Sequence, residues 1–183
     1  MIKFLINSKK NITTKLNKIE GCDNIITHSN ITLQYSNPFH EWTNSNDEKC
    51  IVLGYITGLV DNNGITKRIS ENKKFLEIID NFDNIPKVEG RFIFIKINSE
   101  GKLTICSDNN GKLEVYMLKI DSQIYLSSSL DLMNLSSLGL KNDQIALAHS
   151  LTVYGSRPAK KHTLYENVSR LGVNEAFIVS NGN

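Results

Sequence analysis

Short apolar runs separated by gaps of turn length fill the chain from Arg91 to Ser128, and a chain written this way has to fold largely as antiparallel hairpins. Arg91 to Ile97 carries Phe92 and Phe94 on one side of the alternation and Ile93, Ile95 and Ile97 on the other. The turn Ser99-Glu100-Gly101 leads into Leu103-Thr104-Ile105-Cys106. Asp108-Asn109-Asn110-Gly111 leads into Val115 to Ile120, and Asp121-Ser122 hinges the last run, Gln123 to Ser128. Asp, Asn and Gly tolerate positive φ and reverse a chain tightly, whereas parallel strands need a crossover of a dozen residues or more.

The rest of the chain extends this pattern. Ile2 to Ile6 and Ile31 to Tyr35 read as strands, and Cys50 to Gly58 is apolar enough to be a central strand buried on both faces. Ser36 to Lys49, with Pro38, Asn44, Ser45, Asn46 and Asp47, is expected to be a loop. Ser70 caps a predicted helix running to about Phe82, with Phe75, Ile78, Ile79 and Phe82 on one face and Pro86 closing the connection. A second amphipathic helix, from about Asn142 to Val153, would place Ile145, Ala148 and Leu151 or Thr152 on one side. Ala176 to Val179 is a last short strand, ended by Asn181-Gly182. Many antiparallel strands, few helices and no βαβ alternation predict an α+β fold in one domain spanning residues 1–183.

Composition excludes several function classes. Lys+Arg 21 against Asp+Glu 19 leaves scattered charge and no basic stripe, so no nucleic-acid partner is expected. The apolar start Met1-Ile2-Lys3-Phe4-Leu5-Ile6 stops at Asn7, too short for a signal peptide or a membrane span. Cys22, Cys50 and Cys106 form no CxxC pair, and His28, His40, His149 and His162 show no ligand spacing. Reduced thiols, no metal and a cytoplasmic protein without a membrane partner are the expectation. The 22 asparagines are interspersed among regular apolar patterns and read as a composition bias of loops. His40-Glu41-Trp42 is a polar-aromatic cluster that could line a partner surface.

Val88-Glu89-Gly90-Arg91-Phe92-Ile93-Phe94, then Ser107-Asp108-Asn109-Asn110-Gly111 with Tyr116 after it, then Tyr125-Leu126-Ser127-Ser128-Ser129-Leu130 occur in that order at hairpin spacing. This set resembles the core of the class II glutamine amidotransferase domain of asparagine synthetases, with the β-lactam synthetase branch nearest through its Gly-Arg-Phe wording. Val52-Leu53-Gly54-Tyr55-Ile56 sits where that family has Asn-Gly-Glu-Ile-Tyr. Tyr154 to Pro158, Thr163 to Val168 and Arg170-Leu171 resemble its closing region, so the likeness covers roughly residues 50–182. The fold it implies is the Ntn-hydrolase four-layer αββα sandwich, two stacked, mainly antiparallel sheets between helical layers.

The same likeness implies that the chemistry has been lost. In that family an N-terminal cysteine is both nucleophile and, through its α-amine, base. This chain opens Met1-Ile2-Lys3, and removal of Met1 would expose Ile2. The oxyanion-hole Asn is replaced by Leu53, Glu89 stands where an Asp would hold the substrate's α-amine, and no Arg-Arg-Gly-Pro-Asp element is present for the carboxylate. No catalytic residue is therefore assigned; Gly54, Glu89, Gly90 and Asp108 are read as the remnant of a substrate pocket. For Gly90 and Gly111 a turn or bulge role is the leading expectation, as is strand-end hydrogen bonding for Ser127-Ser128-Ser129, which no Gly-x-Ser-x-Gly elbow surrounds.

The implied function is an inactive glutaminase-like domain serving an ATP-pyrophosphatase-type ligase domain, in cis or in trans. No Ser-Gly-Gly-x-Asp-Ser loop occurs here, so ATP and Mg are expected only in that following domain and no cofactor in this chain. Processing to Cys22 to give an active Ntn amidohydrolase, a module binding a small amino acid or a partner, and a homodimer are the open alternatives.

Overall fold

The computed structural model describes residues 2–8, 19–28, 31–36, 38, 40–61, 63–68, 79, 82–121, 123–133, 139–152 and 163–180. The strands are β1 Phe4–Ser8, β2 Asn24–His28, β3 Ile31–Tyr35, β4 His40–Thr43, β5 Lys49–Val60, β6 Thr66–Arg68, β7 Val88–Ile97, β8 Leu103–Ser107, β9 Tyr116–Ile120, β10 Gln123–Ser127, β11 Val168–Arg170 and β12 Ala176–Val179. They form two six-stranded sheets in which the described pairings are antiparallel, accompanied by helix α1, Gln144–Thr152. The protein is α+β. By contacts the chain divides into two compact units, residues 1–36, 114–172 and 183 in one, and 37–113 with 173–182 in the other.

The first unit holds the sheet β11-β9-β10-β1-β3-β2. β1 is interior to it: Leu5 pairs with Ser127 of β10 on one side and with Gln34 of β3 on the other. All five residues of β1 and of β3 are buried, including Phe4, Ile6, Leu33 and Tyr35. Buried Gln34 satisfies its amide oxygen by accepting the Ile19 backbone N–H at 3.0 Å, which offsets the penalty of a polar group in the interior. The serine run at the end of β10 is structural, as expected. Ser127 Oγ donates to the Phe4 carbonyl at 3.1 Å, and Ser128 Oγ accepts the Phe4 N–H at 3.2 Å.

Helix α1 starts at a built cap, Asp143 Oδ1 accepting the N–H groups of Ile145 and Ala146 at 2.9 and 3.0 Å. Its expected apolar face is corrected by the structure. Ile145 is 68% and Leu151 76% exposed, Ala148 is exposed too, and the buried residue is Ala146. Successive helical residues are turned by about 100°, so a helix seated on Ala146 carries Ile145 and Ala148 outward.

The second unit holds β12-β8-β7-β5-β4, with β6 added beside β5. The predicted central strand is here: Cys50 to Leu53 of β5 are fully buried, and β7 pairs along nearly all of β5. Cys50, Val52, Val88, Phe92, Phe94 and Cys106 share one apolar cluster with Ile79 and Ile85. The helix expected from Ser70 to about Phe82 lies outside the described residues apart from its end; Ile79 is helical and buried there. Pro86 sits inside a 3₁₀ helix, Phe82–Lys87, that runs straight into β7.

The loop expected from Ser36 to Lys49 contains a strand instead. β4 pairs with β5 from His40↔Val52 to Thr43↔Lys49. Trp42 explains the difference, since its ring stacks on Phe94 with centroids 5.9 Å apart and packs against the apolar cluster. His40 lies 5.7 Å from Trp42 by ring centroids, so this aromatic cluster is anchored inward. Asn44 closes the hairpin by accepting the N–H groups of Asn46 and Glu48 on Oδ1, both at 3.0 Å.

Candidate functional site

Gly54, Glu89, Gly90 and Asp108 fall on neighbouring stretches of β5, β7 and the end of β8, and Phe92 connects them. Gly54 is its partner across β5, and the Asp108 N–H donates to its carbonyl at 3.0 Å from the other side. Two residues earlier on β7, Gly90 lies opposite Ile56, and Glu89 opposite Gly58. The register slips between Ile56 and Gly58, which leaves Thr57 as the extra residue of a β-bulge; its hydroxyl donates to the Glu89 carbonyl at 3.2 Å.

Gly90 is required by sterics. A Cβ built on it would lie 2.5 Å from the Tyr55 carbonyl oxygen and 2.9 Å from the Ile56 Cα, both backbone atoms. Gly54 has φ +106°, a conformation side-chain-bearing residues rarely adopt. The two glycines let β5 and β7 approach closely next to the bulge.

Asp108 is 1% exposed and organises the turn after β8. Its Oδ1 accepts the N–H of Asn110 at 3.0 Å and of Lys112 at 3.3 Å, and its carbonyl accepts the Gly111 N–H at 2.9 Å. Gly111 has φ +58°, as the turn chemistry requires. The second carboxylate oxygen, Oδ2, is buried with no hydrogen-bond partner. In this geometry Asp108 is first a turn-forming residue.

Burial along β7 sorts its side chains by face. Val88, Gly90 and Phe92 are buried, whereas Glu89 between them is half-buried and Arg91 is exposed. Val88 and Phe92 belong to the apolar cluster, so Glu89 and Arg91 project from the opposite face. Directly across from Arg91 stands Tyr55, 52% exposed. Further along that same face Leu53, Ile93 and Ile95 are fully buried. The polar group Tyr55, Glu89 and Arg91 thus borders an apolar floor. Tyr55 and Arg91 went unassigned in the sequence, where the period-2 offset from Glu89 was the available signal.

The cysteines are poorly placed for chemistry. Cys22 is fully buried, its Sγ lies 3.7 Å from the Lys3 carbonyl oxygen as a weak donor, and burial pushes its thiol up, with Asp23 adding to the shift and Lys3 opposing it. Burial pushes the Cys106 thiol up to about 12. Among the described residues no cluster of His, Cys, Asp or Glu could hold a metal ion, and no helix is long and apolar enough to cross a membrane. Outside the β5–β7 region, Tyr116 donates to Glu114, which also accepts from Arg170 Nη1 at 2.8 Å; burial and then the Glu114 carboxylate raise the phenol.

No protein-family model matches the chain, and no curated protein matches it. Among solved structures it is similar to glutamine phosphoribosylpyrophosphate amidotransferase from B. subtilis, complexed with ADP and GMP. The TM-score is 0.40 with 11% identity over 59% of this chain, which spans 30% of that one.

Proposed function

We propose that this chain is a glutaminase-like domain of the class II amidotransferase type that has kept its strand framework and does not hydrolyse glutamine. Its role is then to serve an ATP-dependent amide-forming ligase domain, in cis or in trans, as asparagine synthetases do. The observation that carries the loss of hydrolysis is Leu53. This aliphatic side chain is fully buried in β5 opposite Ile93, at the position where the family likeness puts the oxyanion-hole Asn. A missing donor of that kind removes about 2.7–4 kcal/mol of transition-state stabilisation.

Activation by processing at Cys22 is disfavoured on a separate ground. A cut before Cys22 would detach β1, which is hydrogen-bonded to a neighbour on each side in the middle of its sheet. Incubation of the full chain with glutamine is expected to release no ammonia above a protein-free control. Ammonia release that disappears in Cys22→Ala, together with Cys22 as the mature first residue by mass spectrometry, would overturn this reading. A Ser-Gly-Gly-x-Asp-Ser loop encoded beyond codon 183 would support the partnership with a ligase.

A further inference from the structure

We propose that Asn63 is a site of spontaneous covalent modification, deamidating through a cyclic imide to aspartate and isoaspartate, and that the fold holds back the same chemistry at Asn110. Asp-Asn-Asn-Gly occurs twice in the chain, at 61–64 and at 108–111. In both copies glycine follows asparagine, so no side chain shields the main-chain nitrogen that attacks the asparagine amide. The hydrogen bonds match as well. Asp61 Oδ1 accepts the N–H groups of Asn63 and Ile65 at 2.9 and 3.0 Å, and the Asp61 carbonyl accepts the Gly64 N–H at 3.0 Å. Asp108 does the same for Asn110, Lys112 and Gly111 at 3.0, 3.3 and 2.9 Å. A third Asn-Gly pair, Asn181-Gly182, lies outside the described residues.

The reaction needs only water and a solvent base. The Gly64 nitrogen gives up its proton to the base and bonds to Cγ of Asn63; the Cγ–NH2 bond breaks, and the amide nitrogen takes up a proton and leaves as ammonia. Water then opens the five-membered imide. Breaking its bond from nitrogen to Cγ gives aspartate, and breaking the bond from nitrogen to the main-chain carbonyl carbon gives isoaspartate. To reach Cγ, the glycine nitrogen must first leave the aspartate carbonyl, so the rate follows how often the turn opens.

Opening is where the two turns differ. Asn63, Gly64 and Ile65 are all exposed, and a Cβ built on Gly64 would meet nothing within 4 Å. The strand that this turn leads into, β6, has three residues and pairs only with β5 among the described strands. The second turn is pinned. Asp108 is 1% exposed, its N–H is donated to the Phe92 carbonyl at 3.0 Å, and a Cβ on half-buried Gly111 would lie 3.0 Å from Val173 Cγ2. It follows β8, which is paired on both sides, with β7 and with β12. Isoaspartate adds a main-chain carbon between positions 63 and 64, so the bonds that Asp61 makes across the turn no longer span it. Either product also places a new negative charge beside Asp61, one unit below the formal +2 of the chain. The consequence is release of β6 from Gly58 to Val60.

The modification is independent of the amidotransferase reading. Its ammonia is released slowly, without glutamine and at no more than one molecule per chain from this site, so it does not register as turnover. The test is incubation of the full chain at mildly alkaline pH, native and in denaturant, followed by peptide mapping with electron-transfer fragmentation to tell isoaspartate from aspartate. In the native chain Asn63 is expected to convert at least about tenfold faster than Asn110, equivalent to about 1.4 kcal/mol in the free energy of opening. In denaturant the two rates are expected to converge, because the same four residues then react without the fold. Hydrogen exchange of the modified chain is expected to quicken at 58–60 and 66–68 and to stay unchanged along the β7–β8 pairing. Asn63→Gln, which would have to close a six-membered ring, is expected to lose the modification there and to leave the Asn110 rate as it was. Equal native rates, a faster Asn110, no conversion at Asn63, a ratio that persists in denaturant, or conversion of the 61–65 segment that survives Asn63→Gln each overturn the proposal.

Discussion

Replacing Gly90 by alanine would force a Cβ to 2.5 Å from the Tyr55 carbonyl oxygen, and neither strand backbone can yield without losing ladder bonds. Gly90→Ala is expected to destabilise the protein by about 2 kcal/mol or more in urea unfolding, the upper range for overpacking. Gly64→Ala, at φ +77° with nothing within 4 Å, carries only conformational strain and is expected to stay near 1 kcal/mol. At Asp108, alanine removes the acceptor for two backbone N–H groups in a buried turn and should cost about 1–3 kcal/mol, while asparagine keeps that oxygen and should cost less. The turn role of Asp108-Asn109-Asn110-Gly111 was legible in the residues, because Asx and Gly chemistry is local. The impossibility of a side chain at 90 was not, since the clashing atoms belong to a strand more than thirty residues earlier. The cysteines are predicted by the same burial to resist alkylation: Cys22, Cys50 and Cys106 should label in the native protein only as fast as it opens, and rapidly in denaturant.

Among elements, the hairpin from β7 to β8 was readable because alternation and the turn before Gly101 act over a few residues. β4 was not, because its stability comes from Trp42 on Phe94 and from pairing with β5. Glu48 at the β4–β5 turn gives this hairpin a pH dependence. Burial alone would raise its carboxyl, but hydrogen bonds from Asn44 and Lys96 and the charges of Lys96 and Lys102 prevail and hold it below the ordinary glutamate value. A folded pKa below the unfolded one gives stability that is complete above about pH 4.3 and is lost as pH falls through the folded value. Glu48→Gln is expected to flatten that acid limb in denaturation curves compared between about pH 6 and pH 3. For α1 the exposed positions of Ile145 and Leu151 predict that Ile145→Gln or Leu151→Gln changes stability by no more than about 0.5 kcal/mol. A helix seated on its 145/148/151 face would lose several times that.

At the scale of the molecule, the sheet of the first unit joins the two ends of the chain's strand order, β1 to β3 with β9 to β11, while β4 to β8 and β12 build the other. Leu5 pairs with Ser127, 122 positions further along the chain. What the sequence determined by itself is what short-range physics decides: strand periodicity, turn residues and the α+β class. What only the tertiary structure decided is which strands become neighbours, which face of α1 is buried, and that Tyr55 stands beside Arg91 and Glu89. Those outcomes depend on contacts between segments far apart in the chain, whose closure entropy and packing energy leave no mark on the local residue pattern.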